Sequence, residues 1–446
     1  MENSPRISNN KALLLYIGAL FFLVFLECYF VFYQIWFEDY WGYVSIVREL
    51  SINPFQPRNP FTIGTESTIP YWPYLIIVSL LARLTAIPAQ EALSLFGPIN
   101  IALFLSSFYF FTRSLTKKIW FPVFALTGIL IMWTGSPFFH GGFTHFPALL
   151  YMGPYPSILG LSLAMFASLV FKKNIKDPSN KKLLLFIFLF TLLLLIHQIS
   201  WIFLGILSFA SILSFSSQKI KDLYKLSFSL ICAFSIACFW PFFPLLKFNS
   251  HPHLVSATGA LIFYEDIFNR VPLLLIFLSL IFLRWIKDKS DFISISFFGC
   301  GLIYLYGYLS EGWSYGRIVS FLIFLGQLGT IELIYNQISH TKYRRLFYLL
   351  SSTCFALFLI FTAVRTYHYS RFFGLECPGT GGIQYEEIFS YVTPGDMVIS
   401  DIETNLVLAG YGAKIVVFDR NSSFENDYEE RKKDLDLFFN EETENK

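Results

Sequence analysis

YWPYLIIVSLLARLTAIP, residues 71–88, is almost long and apolar enough to cross a bilayer. Whether it crosses decides on which side of the membrane every later loop lies. A crossing helix needs about 20 apolar residues to span about 30 Å of hydrocarbon. This stretch begins at Pro70 and Pro73, ends at Pro88, and carries Arg83 within its apolar length. Proline rings remove an amide donor and clash with the preceding turn, so they bound helices. An arginine at membrane depth is costly unless it faces protein or water. The stretch therefore reads as an interfacial or partly inserted helix that does not cross.

The charges elsewhere agree with that reading. Apolar runs recur at about 12–36, 94–112, 119–134, 154–171, 183–196, 201–217, 226–246, 270–286, 292–309, 317–335 and 346–366. With 71–88 excluded, RSLTKK (113–118), KKNIKDPSNKK (172–182), QKIKDLYK (218–225), RWIKDKSD (284–291) and SHTKYRR (339–345) all fall on one side. Together with Arg6 and Lys11 they hold 19 of the 33 Lys and Arg residues. Short cytoplasmic loops carry such an excess, which gives eleven spans, the N-terminus inside and the C-terminus outside. If 71–88 crossed, RSLTKK would lie outside, against the same rule.

Composition fixes the class. Of 446 residues 55% are hydrophobic and 14% charged, against about 25% charged in soluble domains. The runs are continuously apolar and do not alternate, which fits helices better than a β-barrel. The expected fold is an α-helical polytopic membrane protein of about eleven spans with an interfacial helix in the first outer loop. Its immediate partners are membrane lipids. A net charge of +2, with the basic residues given to the inner loops, marks no nucleic-acid partner. The first run has no small-residue cleavage site and reads as a retained anchor. Five of the six cysteines lie in apolar runs and Cys377 stands alone, so neither a disulfide framework nor a metal site is expected.

The outer loops hold the unusual residues. The first, about 37–93, opens with FEDYWGY (37–43) and continues through PFQPRNPF (54–61). The second, GSPFFHGGFTHFPALLYMGP (135–154), is dense in Gly, Pro, His and aromatics. HQIS (197–200), KFNSHPHLVSATGALIFYEDIFN (247–269) and SEGWSYG (310–316), which leads into Arg317, complete the set. From about 367 the composition changes. MVISD (397–401) and KIVVFD (414–419) read as strands around a helical ETNLVLAGYG, a small extracytoplasmic α/β domain over 367–446 after a membrane domain over 1–366. SDIET lacks the glycines of a phosphate loop, so this tail reads as a lid or docking platform.

FEDYWGYVSIVREL (37–50), the proline-bounded IPYWPYLIIVSLLARL (69–84), His197 at the outer end of a span and Arg317 opening a late one form a plan. That plan resembles the GT-C superfamily of membrane glycosyltransferases, which take sugars from polyprenyl-phosphate carriers. Protein O-mannosyltransferases and the aminoarabinose transferases of lipid A belong to it. The resemblance covers about 1–366 in outline, without the acceptor-defining motifs of any one member. It implies a sugar donor on a polyprenyl phosphate, a glycan, lipid or protein acceptor, and chemistry on the outer face of a membrane; the short loops and absent retention signals point to a bacterial inner membrane over the endoplasmic reticulum. It also implies that an acid in the first outer loop is the general base. By position that role falls on Asp39 ahead of Glu38.

The chemistry fits. A hydroxyl or amine acceptor must lose a proton in the transition state, and a positioned carboxylate contributes about 10²–10⁴-fold. Two adjacent carboxylates can instead share a divalent cation, as in some relatives. The alternative is that both acids only mark a helix end in the headgroup region, among belt aromatics. The remaining candidates carry similar pairs of readings. Arg317 could clamp a donor phosphate through its planar fork, or snorkel at a span end. Glu311 could pair with it. His197 could bond the phosphate or acceptor, or simply pack. The glycines of HGGFTH point to a loop closely approaching a ligand, which adds His140 and His145. Arg58 and Arg83 are candidates for the donor headgroup or interfacial anchors. His251, His253, Glu265 and Asp266 read as ordinary loop residues, and Glu27 in the first span as structurally paired. The rival class is a transporter or flippase, which usually shows internal repeats that are not seen here. An arginine-rich polymerase or ligase loop is also missing from the outer face.

Overall fold

The computed structural model describes residues 6–32, 38–63, 71–132, 146–242, 263–265, 267–339, 391–400, 402–416, 430–435 and 437–438. The spans expected at 346–366, the start of the tail, His140, His145, His251, His253 and Asp266 lie outside these. The described chain is mostly helical, and six of its helices are long and apolar enough to cross a membrane: Asn10–Tyr29, Ala89–Leu115, Pro156–Lys176, Gln198–Phe215, Phe292–Leu309 and Ser314–Gln337. It is a helical membrane protein. Its contacts divide it into two compact units, Met1–Glu27 with Pro98–Ala237 and Val255–Arg365, and Cys28–Gly97 with Cys238–Leu254 and Thr366–Lys446.

The first unit is a helical bundle. It begins with α1 (Arg6–Phe32) up to Glu27 and resumes at Pro98 inside α4 (Ala89–Leu115). It then runs through α5 (Phe121–Ile131), α6 (Phe146–Tyr151), α7 (Pro156–Lys176), α8 (Asn180–Ile196), α9 (Gln198–Phe215) and α10 (Lys219–Cys238). After α11 (Ile267–Arg270) come α12 (Leu274–Lys287), α13 (Phe292–Leu309), α14 (Trp313–Gly316) and α15 (Val319–Ser339). α15 is the axis of the bundle, packed against α5, α12 and α13, while α7 packs on α8 and α9. Lipid tails are as apolar as leucine, so these helices associate through close packing and not through escape from water. Small residues make that approach. A Cβ on Gly329 of α15 would fall 2.2 Å from Ile281 of α12. Phe203 of α9 stacks on Phe321 of α15 at 4.3 Å. Leu184, Phe188, Leu302 and Leu305 are exposed, as lipid-facing side chains are.

Charge closes the α12–α13 turn. Arg284 grips both oxygens of Asp291, at 3.1 and 2.7 Å, and reaches Glu332 of α15 at 3.2 Å. Asp291 also caps α13 by accepting from Ser294 N–H at 2.8 Å. Burial alone would raise this carboxyl, yet the Arg284 fork and the Ser294 bonds hold it below its ordinary range.

The second unit contains α2 (Glu38–Ile52), α3 (Pro73–Thr85) and the first turns of α4, together with β1 (Met397–Val398), α16 (Ile402–Tyr411) and β2 (Lys414–Ile415). α2 packs against both α3 and α16. Its buried residues Tyr40, Trp41, Val44, Val47 and Leu50 recur at helical spacing. α3 starts with Pro73 in its first turn and stops at Ala86 in the left-handed region (φ 57°). Its 13 residues reach about 20 Å, well short of the hydrocarbon thickness. Tyr74, Leu75, Val78 and Ala82 are buried, while Ile77, Leu80 and Leu84 form an exposed apolar stripe. A short helix packed on one face and apolar on the other suits the membrane interface.

β1 and β2 pair in parallel, Met397 with Lys414 and Val398 with Ile415, around α16. Ile415 N–H also donates to Phe61 O at 2.9 Å. The PFQPRNPF loop is thereby bonded to the strand pair.

Candidate functional site

Glu38 and Asp39 form the first turn of α2. They do not end α1: residues 33–37 separate α1 from α2 in the sequence, and the acids begin a second helix. Acids suit that place, since the first amides of a helix point outward unpaired and attract negative charge. The residues that follow fix the turn. Tyr40 hydroxyl bonds Gln90 O and, at 2.6 Å, Ser94 Oγ, both on α4. Burial pushes the Tyr40 phenol well above its usual range, with nearby Tyr74, Glu91 and Tyr411 adding to it against the Ser94 bond. Trp41 stacks on Tyr411 of α16 at 5.3 Å. A Cβ on Gly410 would fall 2.6 Å from the Trp41 ring, so α16 lies close against it.

The far end of α2 is basic. Arg48, Arg58 and Lys414 surround Glu49. Lys414 Nζ donates to Asn59 O at 2.6 Å, and its pKa is lowered by burial first and then by Arg48 and Arg58, with Glu49 opposing. Arg48 is lowered by burial and partly restored by Glu49. Its guanidinium fills the space a side chain at residue 412 would need: a Cβ on Gly412 (φ +107°) would lie 1.1 Å from Nη1. Glu49 Oε1 accepts from Asn53 Nδ2 at 2.9 Å and Arg58 N–H at 2.8 Å. Of this cluster only Arg58 was singled out from the sequence; Arg48 and Lys414 are 366 positions apart and carry no shared local signal. Arg83 stands elsewhere, with Nη1 donating to Ser51 O (3.2 Å) and Ile52 O (3.4 Å) at the C-terminus of α2. A cation there satisfies orphan carbonyls, a helix-ending role.

The first unit holds His197 and Arg317. His197 breaks the chain between α8 and α9 in extended conformation (φ −154°) and caps α9. Ser200 N–H donates to Nδ1 at 3.4 Å and Ser200 Oγ lies 2.7 Å from it. An accepting Nδ1 leaves the proton on Nε2, which is then a donor. Burial and then the charge of Arg317 push this imidazole down to about 3, so it is neutral. Gly160 of α7 makes room: a Cβ there would fall 2.9 Å from His197 Cβ. Arg317 follows α14. Glu311 is exposed with φ 53° and, among the described residues, makes no ion pair. An apolar cavity of about 720 Å³ lies between α9, α10, α12 and α13, walled by Trp201, Phe209, Leu230, Phe282, Trp285 and Phe298. Among the described residues no three His, Cys, Asp or Glu side chains are placed to hold a metal ion.

No family model matches this chain. No curated protein matches it either.

Proposed function

We propose that this protein is a membrane glycosyltransferase that moves a sugar from a polyprenyl-phosphate carrier to an acceptor on the outer face. The reading includes the GT-C resemblance, eleven spans, a cytoplasmic N-terminus and an extracytoplasmic tail over 367–446. One observation carries it. The acidic pair opens a separate helix that is bolted through Tyr40 and Trp41 into a folded layer, where an ordinary helix end would need no such support. In this reading Asp39 takes the acceptor's proton and Glu38 supports it. The cations Arg48, Arg58 and Lys414 at the other end of α2, about 14 Å along the helix from Asp39, suit an anionic lipid headgroup. In the first unit, Arg317 is assigned to a phosphate, and the apolar cavity suits a hydrocarbon chain.

The test is transfer of labelled sugar from a lipid-linked donor by purified variants of matched stability. Asp39→Asn keeps size and much hydrogen bonding but cannot accept a proton, so turnover should fall about 10²-fold or more with donor binding kept. Full activity in both Asp39→Asn and Glu38→Gln would remove the reading. The rival, a transporter or flippase, is favoured by one observation in the first span, the buried Glu27.

A further inference from the structure

α1 carries a single carboxyl among apolar residues, Glu27. The sequence leads one to expect a structural partner for it. Among the described residues there is none: Glu27 is 0% exposed and neither Oε1 nor Oε2 has a hydrogen-bond partner. Its surroundings explain why. The carboxyl lies against Gly153, in the turn after α6, where a Cβ would fall 2.1 Å from Oε1 and 3.1 Å from Oε2. The amides of that turn are already committed. Met152 N–H donates to Ala148 O (2.9 Å), Gly153 N–H to Leu150 O (3.2 Å) and Tyr155 N–H to Met152 O (3.0 Å). Residue 154 is proline and has no amide hydrogen. Asn100 of α4 directs its Nδ2 to Gly153 O at 2.9 Å.

Among the described residues no cation compensates either. The titratable side chains of the turn are Tyr151 and Tyr155. Those of α4 are Glu91, Tyr109 and Arg113, and α1 beyond its first turn, which opens with Arg6, has Lys11, Tyr16, Cys28 and Tyr29. None forms an ion pair with Glu27 among the described residues. An ionised carboxylate moved into apolar surroundings without donors is so costly that the group takes up a proton instead.

We propose that Glu27 is a proton-binding site within the membrane part of the first unit, a carboxylic acid at neutral pH whose two oxygens occupy the room left by Gly153. The proton changes what the side chain can do. A carboxylate only accepts hydrogen bonds, whereas the acid has one O–H to donate. The site stays loaded through the pH range in which an ordinary glutamate, at about 4.3, is ionised. This inference stands apart from the transferase reading, since Glu27 takes no part in the chemistry assigned to Asp39.

The experiment is infrared difference spectroscopy on the purified full-length protein in detergent, wild type minus Glu27→Gln. Expected at about pH 7 is the carbonyl stretch of an un-ionised carboxylic acid, present only in wild type, shifting in D₂O and fading only as pH is raised above neutral. Its absence at about pH 7 would overturn the proposal. Should Glu27→Gln fail to fold, wild type is treated with a hydrophobic carbodiimide, which adds only to a protonated carboxyl, and the adduct is mapped by mass spectrometry. An adduct on Glu27 that declines as pH rises supports the site. An unlabelled Glu27 across that range overturns it.

Discussion

Arg284 and Arg48 are both partly buried arginines near the C-terminal ends of helices, and they are held in opposite ways. Arg284 faces two carboxylates and meets one of them with both arms of its fork. Arg48 has no ion pair among the described residues; it lies over the backbone of Gly412 beside Glu49 and two further cations. The first is a clamp made by charge, the second a cation accommodated by the absence of a side chain. Removing the clamp leaves Asp291 without its ion pair and Glu332 with only Lys118 acting on it. Removing the accommodated cation leaves only space.

The largest expected effect follows from that difference. Arg284→Ala takes the fork from Asp291 and leaves Glu332 only the more weakly acting Lys118, and breaking such a group costs about 3–5 kcal/mol. Arg48→Ala should cost under about 1 kcal/mol, as most substitutions without a lost partner do. Both are read from denaturant unfolding in detergent. Equal losses would break the comparison.

The second effect is steric and smaller. Gly412→Ala places a methyl where Arg48 Nη1 lies and demands φ +107° of a residue with a Cβ. A loss of about 1–3 kcal/mol is expected. Adding Arg48→Ala should recover the clash and leave the backbone strain, so the two changes should be clearly non-additive. Strict additivity would mean that Arg48 does not occupy that space.

These contacts also mark where sequence reading stops. Hydropathy locates the longest bundle helices because a bilayer sets a minimum length for a crossing helix. α7, α9 and α13 lie close to the apolar runs that announce them. Residues 71–88 are legible in their bounds: proline at each end matches a helix of 13 residues, Pro73–Thr85. The strand–helix–strand order of the tail is legible from local pattern. Its docking is not. Trp41 on Tyr411 and Phe61 on Ile415 join residues more than 350 positions apart, and no local periodicity encodes such pairs. α2 was hidden as well: residues 38–52 read as the opening of the first outer loop, because charges at 38, 39, 48 and 49 interrupt their apolar spacing. Among the candidate residues, Arg83 and Glu311 are both exposed, but Arg83 bonds the carbonyls that end α2 while Glu311 makes no ion pair among the described residues.

The smallest effect concerns the one histidine that the structure describes in detail. His197 is held neutral in the fold, pushed down to about 3, whereas an unfolded histidine titrates at about 6.5. The unfolded chain therefore binds more protons between these values, and stability rises with pH there. His197 contributes fully above about pH 6.5, and that contribution is lost progressively as pH falls toward about 3. His197→Asn isolates the effect, because asparagine is a good helix N-cap and can still accept from Ser200 N–H, yet does not titrate. The measurement is unfolding midpoint against pH, from about 7.5 down to about 4.5, for wild type and His197→Asn in the same detergent. Other groups titrate equally in both, so only the difference in slope counts. Wild type should lose stability more steeply on acidification than the variant. Parallel curves would mean that His197 is as readily protonated folded as unfolded, and that neither burial nor Arg317 holds it neutral.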